Sequence, residues 1–157
     1  MQKFRFVAVL LVLLGSGLPM AEARSTGLTA QAISSNFSES KQTVKKVLIE
    51  VVQSQLAAFR AGNFTKAYSY ASADIQKQMQ PAAFEQMVRN SYPVIAQSKS
   101  AKFGAVLDNG VQAVVHVSLV GTRQATFVYL MTREGRAWKI NGVVEGKPPE
   151  REGELAT

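Results

Sequence analysis

The sequence predicts an α+β fold in which N-terminal helices pack on a four-stranded antiparallel sheet. Three observations carry this. Between Val44 and Phe59 apolar residues recur at spacings of three and four, the period of one buried helix face. From Lys102 onward the period changes to two, as in half-buried strands. The strand-like runs are separated by Asn109–Gly110, Thr122–Arg123 and Glu134–Gly135, placed as hairpin turns.

Val44, Val47, Leu48, Val51, Val52, Leu56 and Phe59 form the stripe of the first helix, while Lys45, Lys46, Gln53 and Arg60 fall elsewhere on the wheel. Gly62 stands where a left-handed terminator is expected, and Asn63 is placed to cap a new helix from Phe64 to Ala71, since its side chain satisfies a free amide. Phe64, Ala67, Tyr68 and Ala71 make that helix's stripe. Ser72 caps a short turn over Ala73 to Met79. Pro81 opens a third helix, being suited to a first position that needs no N–H. Its stripe is Phe84, Met87 and Val88, and it ends near Asn90, before Tyr92 and Pro93 impose an extended turn.

The turns set an expected register. Asn109–Gly110 as a type I′ turn places Phe103 opposite His116 and Leu107 opposite Gln112. Thr122–Arg123 places His116 opposite Tyr129 and Ser118 opposite Phe127, and Glu134–Gly135 places Met131 opposite Trp138. One face then gathers Phe103, Leu107, Val114, His116, Phe127, Tyr129, Met131, Trp138 and Ile140, and its large side chains are expected against the helices. The other carries Ala113, Val115, Val117, Leu119, Thr126, Val128 and Leu130, with Lys139 and Asn141 at its edge.

The ends read differently. Lys3 and Arg5 precede the apolar run Phe6 to Leu14, and Ala21-Glu22-Ala23 supplies a small-residue cleavage site before Arg24, the order of an export signal. The run is shorter than the roughly 20 residues of a membrane span. The expected division is a signal peptide at 1–23, a flexible lead-in at 24–40, one α+β domain at 41–144 and a charged tail at 145–157. The expected location is the bacterial periplasm or the exterior. Among the 157 residues there is no cysteine, hence no disulfide and no thiolate nucleophile. Loss of Lys3, Arg5 and Glu22 takes 18 basic and 11 acidic residues to 16 and 10, a net +6. The cations are scattered without interleaved aromatics, so no specific nucleic-acid partner is expected.

The run from Gln53 to Ile95, with Trp138, Lys139, Ile140, Asn141 and Gly142 near the end, resembles a bacterial family known as domain of unknown function 4864. Its helix pair of the form Q…AF…D/N…A…AS…I precedes an F…MV…YP segment. The layout also resembles the nuclear-transport-factor-two-like superfamily, with its cystatin-like and ketosteroid-isomerase-like members. That likeness implies a curved sheet closing into a cone. Enzymes of the isomerase kind use a carboxylate base within the cone, and the large face of this sheet offers none.

The residues themselves hold little chemistry. His116 is the one histidine, expected beside Tyr129, where an imidazole and a phenol can shuttle a proton. No paired carboxylates or Cys/His sets suggest a metal, and no phosphate or dinucleotide motif suggests a cofactor. Three functions follow as expectations. The first is a non-catalytic module whose interior holds a small apolar ligand against Tyr68, His116, Phe127, Tyr129 and Trp138. The second is a ketosteroid-isomerase-like enzyme using His116 and Tyr129. The third is a homodimer joined through the aliphatic sheet face.

Overall fold

Helix α1 (Gln42–Arg60) buries Leu48, Val52, Gln55, Leu56 and Phe59 along one side, while Val47 stays 43 % exposed. A computed structural model describes residues 36–146. The leader, most of the lead-in and most of the tail lie outside the described residues. Helix α1 ends where Gly62 takes φ +69°. There the Gly62 N–H bonds to the Phe59 carbonyl and the Asn63 N–H to the Ala58 carbonyl, the paired closure that a left-handed glycine permits. Asn63 then caps α2 (Phe64–Ser69) by accepting from the Lys66 N–H at 2.9 Å. Ser72 caps α3 (Ala73–Gln78) by accepting from the Ile75 N–H.

Helix α4 (Pro81–Ser91) starts on its proline and buries Phe84 and Val88. The extended turn expected after it is instead a one-turn helix, α5 (Pro93–Ala96). Proline suits this first helical position as well as it suits a turn, and Val94, Ile95 and Ala96 are all buried. No helix among the described residues is long and apolar enough to cross a membrane.

Among the described residues the sheet has five antiparallel strands rather than four, in the order β1 (Ser38–Glu39), β2 (Ser100–Asp108), β3 (Gln112–Val120), β4 (Gln124–Glu134) and β5 (Ala137–Gly146). The added strand comes from the end of the expected lead-in, with Ser38 opposite Asp108. Strand β5 also runs past the expected domain end at 144. The edge beyond β5 is partly covered by residues 70–72. Ser72 N–H bonds to the Ile140 carbonyl, and Ile140 N–H to the Tyr70 carbonyl, both at 2.8 Å.

Next to their turns the expected registers of the outer hairpins slip by two residues, becoming one beyond the β2 bulge, where Phe103 faces Val117 rather than His116, and three beyond the β5 bulge; the middle hairpin slips by one throughout. Leu107 lies opposite Val114 rather than Gln112, because the Asn109 side chain accepts from the N–H groups of Val111 and Gln112 and widens the turn. Met131 lies opposite Ile140 rather than Trp138, the turn being Gly135–Arg136. A slip of two keeps faces; a slip of one exchanges them.

The middle hairpin pairs Val120 with Gln124, Val115 with Tyr129 and His116 with Val128. Gly121, Thr122 and Arg123 therefore form a three-residue loop. The loop packs closely on the helical layer, where a Cβ on Gly121 would stand 3.1 Å from the Val94 carbonyl oxygen and 3.2 Å from that of Gln97.

The expected faces of β3 are thus reversed. Ala113, Val115, Val117 and Leu119 are buried against the helices, and Val114, His116 and Ser118 point outward, half-buried. Phe127, Tyr129, Met131, Trp138 and Ile140 do face the helices and are buried. A bulge between Phe103 and Val106 lets both of these pack inward, Val106 fully buried and Phe103 partly so. Leu107 is carried to the outer face with Val114.

Candidate functional site

Between the helices and the inner face of the sheet lies a cavity of about 60 Å³. Its inner wall is built from Gln55 and Phe59 of α1, Ile95 of α5, Tyr129 of β4 and Ile140 of β5. Around the mouth stand Ile75 and Met79, Met87 of α4, Tyr92 and Val143, all half-buried. The arrangement follows from local choices. The Ser72 cap directs α3 so that Ile75 reaches the mouth, and Pro81 starts α4 in the phase that brings Met87 beside Phe84 and Val88.

Strand β5 contributes through a second bulge. Met131 pairs with Ile140 and Leu130 with Gly142, so Asn141 is an extra residue. Its Oδ1 accepts from the Ser72 hydroxyl at 2.6 Å. The bulge turns Val143 inward, opposite Tyr129.

Among the described residues three polar side chains line the cavity, and two of them are engaged. Gln55 Nε2 donates to the Ala67 carbonyl at 3.2 Å, and the Tyr92 hydroxyl donates to the Val143 carbonyl at 3.4 Å. The third, Tyr129, is fully buried, and its hydroxyl has no hydrogen-bond partner among the described residues. Ser40 and Ser98 also carry unpaired buried hydroxyls, but neither lines the cavity. Burial raises the pKa of the Tyr129 phenol, and raises that of Tyr92 as well, because phenolate loses its hydration there. Both phenols are neutral at physiological pH.

Of the residues expected to contact a ligand, Tyr129 alone lines this cavity. Tyr68 directs its hydroxyl to the carbonyls of Met79 and Gln76, at 2.9 and 3.2 Å, and so ties α2 to α3. Its ring meets Phe84 edge-on at 5.4 Å. Phe127 and Trp138 are core residues, and His116 is on the outer face. His116 and Tyr129 point to opposite sides of the sheet, so the pair expected to move a proton is not assembled.

The lining residues Gln55, Ile75, Met79, Met87, Tyr92 and Val143 were not legible as a set. One sequence signal was available in Gln55, a polar residue seven after Leu48 and within the apolar stripe. Val143 left no such mark, because only the bulge turns it inward.

No match was found among curated proteins or among solved structures. The sequence model of the family described as "Domain of unknown function (DUF4864)" matches residues 40–153, a span that takes in every element from α1 to β5. By that match over most of its length, with the helix pair and the closing strand both inside it, the chain belongs to this family of domains of unknown function.

Proposed function

We propose that the protein is an exported, non-catalytic binding module that takes a small apolar ligand into the cavity between its helices and its sheet. The carrying observation is the cavity itself. Well-packed cores leave few voids larger than a water molecule, and this one is carbon-lined apart from three polar side chains, with methionines at its mouth. Unbranched methionine side chains adapt to varied shapes. At about 10–15 Å³ for each water-sized occupant, the volume holds roughly four to six non-hydrogen atoms. A small molecule fits, or the head of a longer one that leaves past Met79 and Met87. Helices laid on one face of an antiparallel sheet also support placing the domain in the nuclear-transport-factor-two-like superfamily.

Cyclopentane, with five carbons, titrated into methyl-labelled protein tests the cavity. Resonances of Ile75, Met79, Met87 and Ile95 should shift together while Leu119 stays fixed, and Met87→Trp, which fills the mouth, should abolish the shifts. Unmoved methyls at saturating cyclopentane would defeat the reading. Export is supported by the charged, apolar and small-residue order before Arg24. Protein from a native host should have an intact mass beginning at Arg24, and a mass including Met1 would refute cleavage.

A second reading, self-association through the sheet, is favoured by the outward row of Val114, Val128, Leu130 and Val144, the last 37 % exposed. Leu130→Lys should then lower the sedimenting mass without changing the circular dichroism. A wild type already monomeric at high concentration would remove this reading.

A further inference from the structure

We propose that the cavity selects a neutral compound bearing one carbonyl-type acceptor, which receives a hydrogen bond from the Tyr129 hydroxyl while its hydrocarbon part rests against Ile75, Met79 and Met87. This rests on the ligand-binding reading above and assigns its chemistry. Gln55 and Tyr92 already donate to the chain's own carbonyls. Tyr129 is the lining side chain whose buried polar atom has no hydrogen-bond partner at all among the described residues. Among the described residues no Lys, Arg, Asp, Glu or His lines the cavity, so a charged ligand would lose its hydration without gaining a counter-ion from them. A neutral ligand avoids that cost.

A plain hydrocarbon would fill the space but leave the phenol unpaired. An acceptor-bearing ligand removes that desolvation penalty as it binds. Specificity built on an otherwise unsatisfied polar group discriminates more strongly than apolar fit, where one methylene is worth only a small factor. Neutrality of the phenol, which burial favours, keeps the donor in place.

Cyclopentanone and methylenecyclopentane are near-isosteric probes that differ in having an oxygen acceptor or a CH2 group. Their affinities for wild type and for Tyr129→Phe, read from the cavity methyl shifts, form a double-mutant cycle in which each probe's own hydration cancels. The expected result is a roughly tenfold weakening of the ketone in Tyr129→Phe with the olefin unchanged or tightened. The infrared carbonyl stretch of bound cyclopentanone should also move to lower frequency in wild type than in the variant, a readout that does not depend on measured affinities. Equal effects on both probes, or an unmoved carbonyl stretch, overturn the inference and leave the cavity reading standing. Failure of both probes to move the methyls of wild type overturns the two together.

Discussion

Tyr129 lies directly opposite Val143 across the β4–β5 ladder, and the pairing exists because Asn141 is an extra residue on β5. Without the bulge Tyr129 would face Gly142, and Val143 would point outward. The same Asn141 accepts a hydrogen bond from Ser72, the cap of the helix that carries Ile75. One irregularity in a strand thus shapes the cavity wall and anchors part of its mouth.

Replacing Tyr129 by Phe should stabilise the ligand-free protein. The ring and its packing are retained while a buried, unpaired hydroxyl is removed, worth about 1–3 kcal/mol. For a domain of this size the melting temperature should rise by roughly 3–6 °C per kcal/mol. A fall of several degrees in calorimetry would show that the hydroxyl has a partner.

Alkaline pH should weaken the fold in a way that depends on this residue. Burial raises the Tyr129 pKa above its ordinary value of 10.0. The stabilisation is therefore fully present below that value and is lost as pH rises toward the folded pKa. From about pH 10 upward, unfolding free energy should fall by about 1.4 kcal/mol per pH unit for this tyrosine. Urea titrations at about pH 8, 10 and 11 should give a shallower decline for Tyr129→Phe, and parallel declines would count against it.

The two faces of the sheet should respond oppositely to charge. Val117 is fully buried, so Val117→Lys must bury an ammonium group or break the sheet, at a cost above about 4 kcal/mol. Cooperative melting should disappear. Leu130, half-buried on the outer face, should accept lysine within about 1 kcal/mol. A well-folded Val117→Lys protein would mean that the faces of β3 lie the other way.

Gly121 should not tolerate even a methyl group. A Cβ there meets the Val94 and Gln97 carbonyl oxygens, which belong to backbone around a buried one-turn helix and cannot easily retreat. Gly121→Ala should cost about 1–3 kcal/mol in chemical denaturation. An unchanged midpoint would show that the loop can move away from α5.

Local rules were enough for what is local. The stripe of α1, the Gly62 stop, the Asn63 and Ser72 caps and the Pro81 start each depend on neighbours within a few residues, and each stands where the sequence places it except that Val47 of the stripe is exposed. The inward side of β4 was legible too, because Phe127, Tyr129 and Met131 are the large members of an alternating run. The inward side of β3 was marked as well, by Ala113, Val115, Val117 and Leu119 alternating with Gln112, His116 and Ser118, but a two-residue turn at Thr122–Arg123 assigns the opposite face, and the three-residue loop from Gly121 to Arg123 restores the one that alternation favours. That loop lies against the carbonyl oxygens of Val94 in α5 and of Gln97 just after it, more than twenty residues earlier in the chain. The site depended on the same kind of long-range detail, since the side chains around it come from six elements, α1, α3, α4, α5, β4 and β5, and meet only once a bulge at Asn141 has rotated the end of β5. Period and turn chemistry specify elements; packing between elements decides register, and register decides which tyrosine meets which cavity.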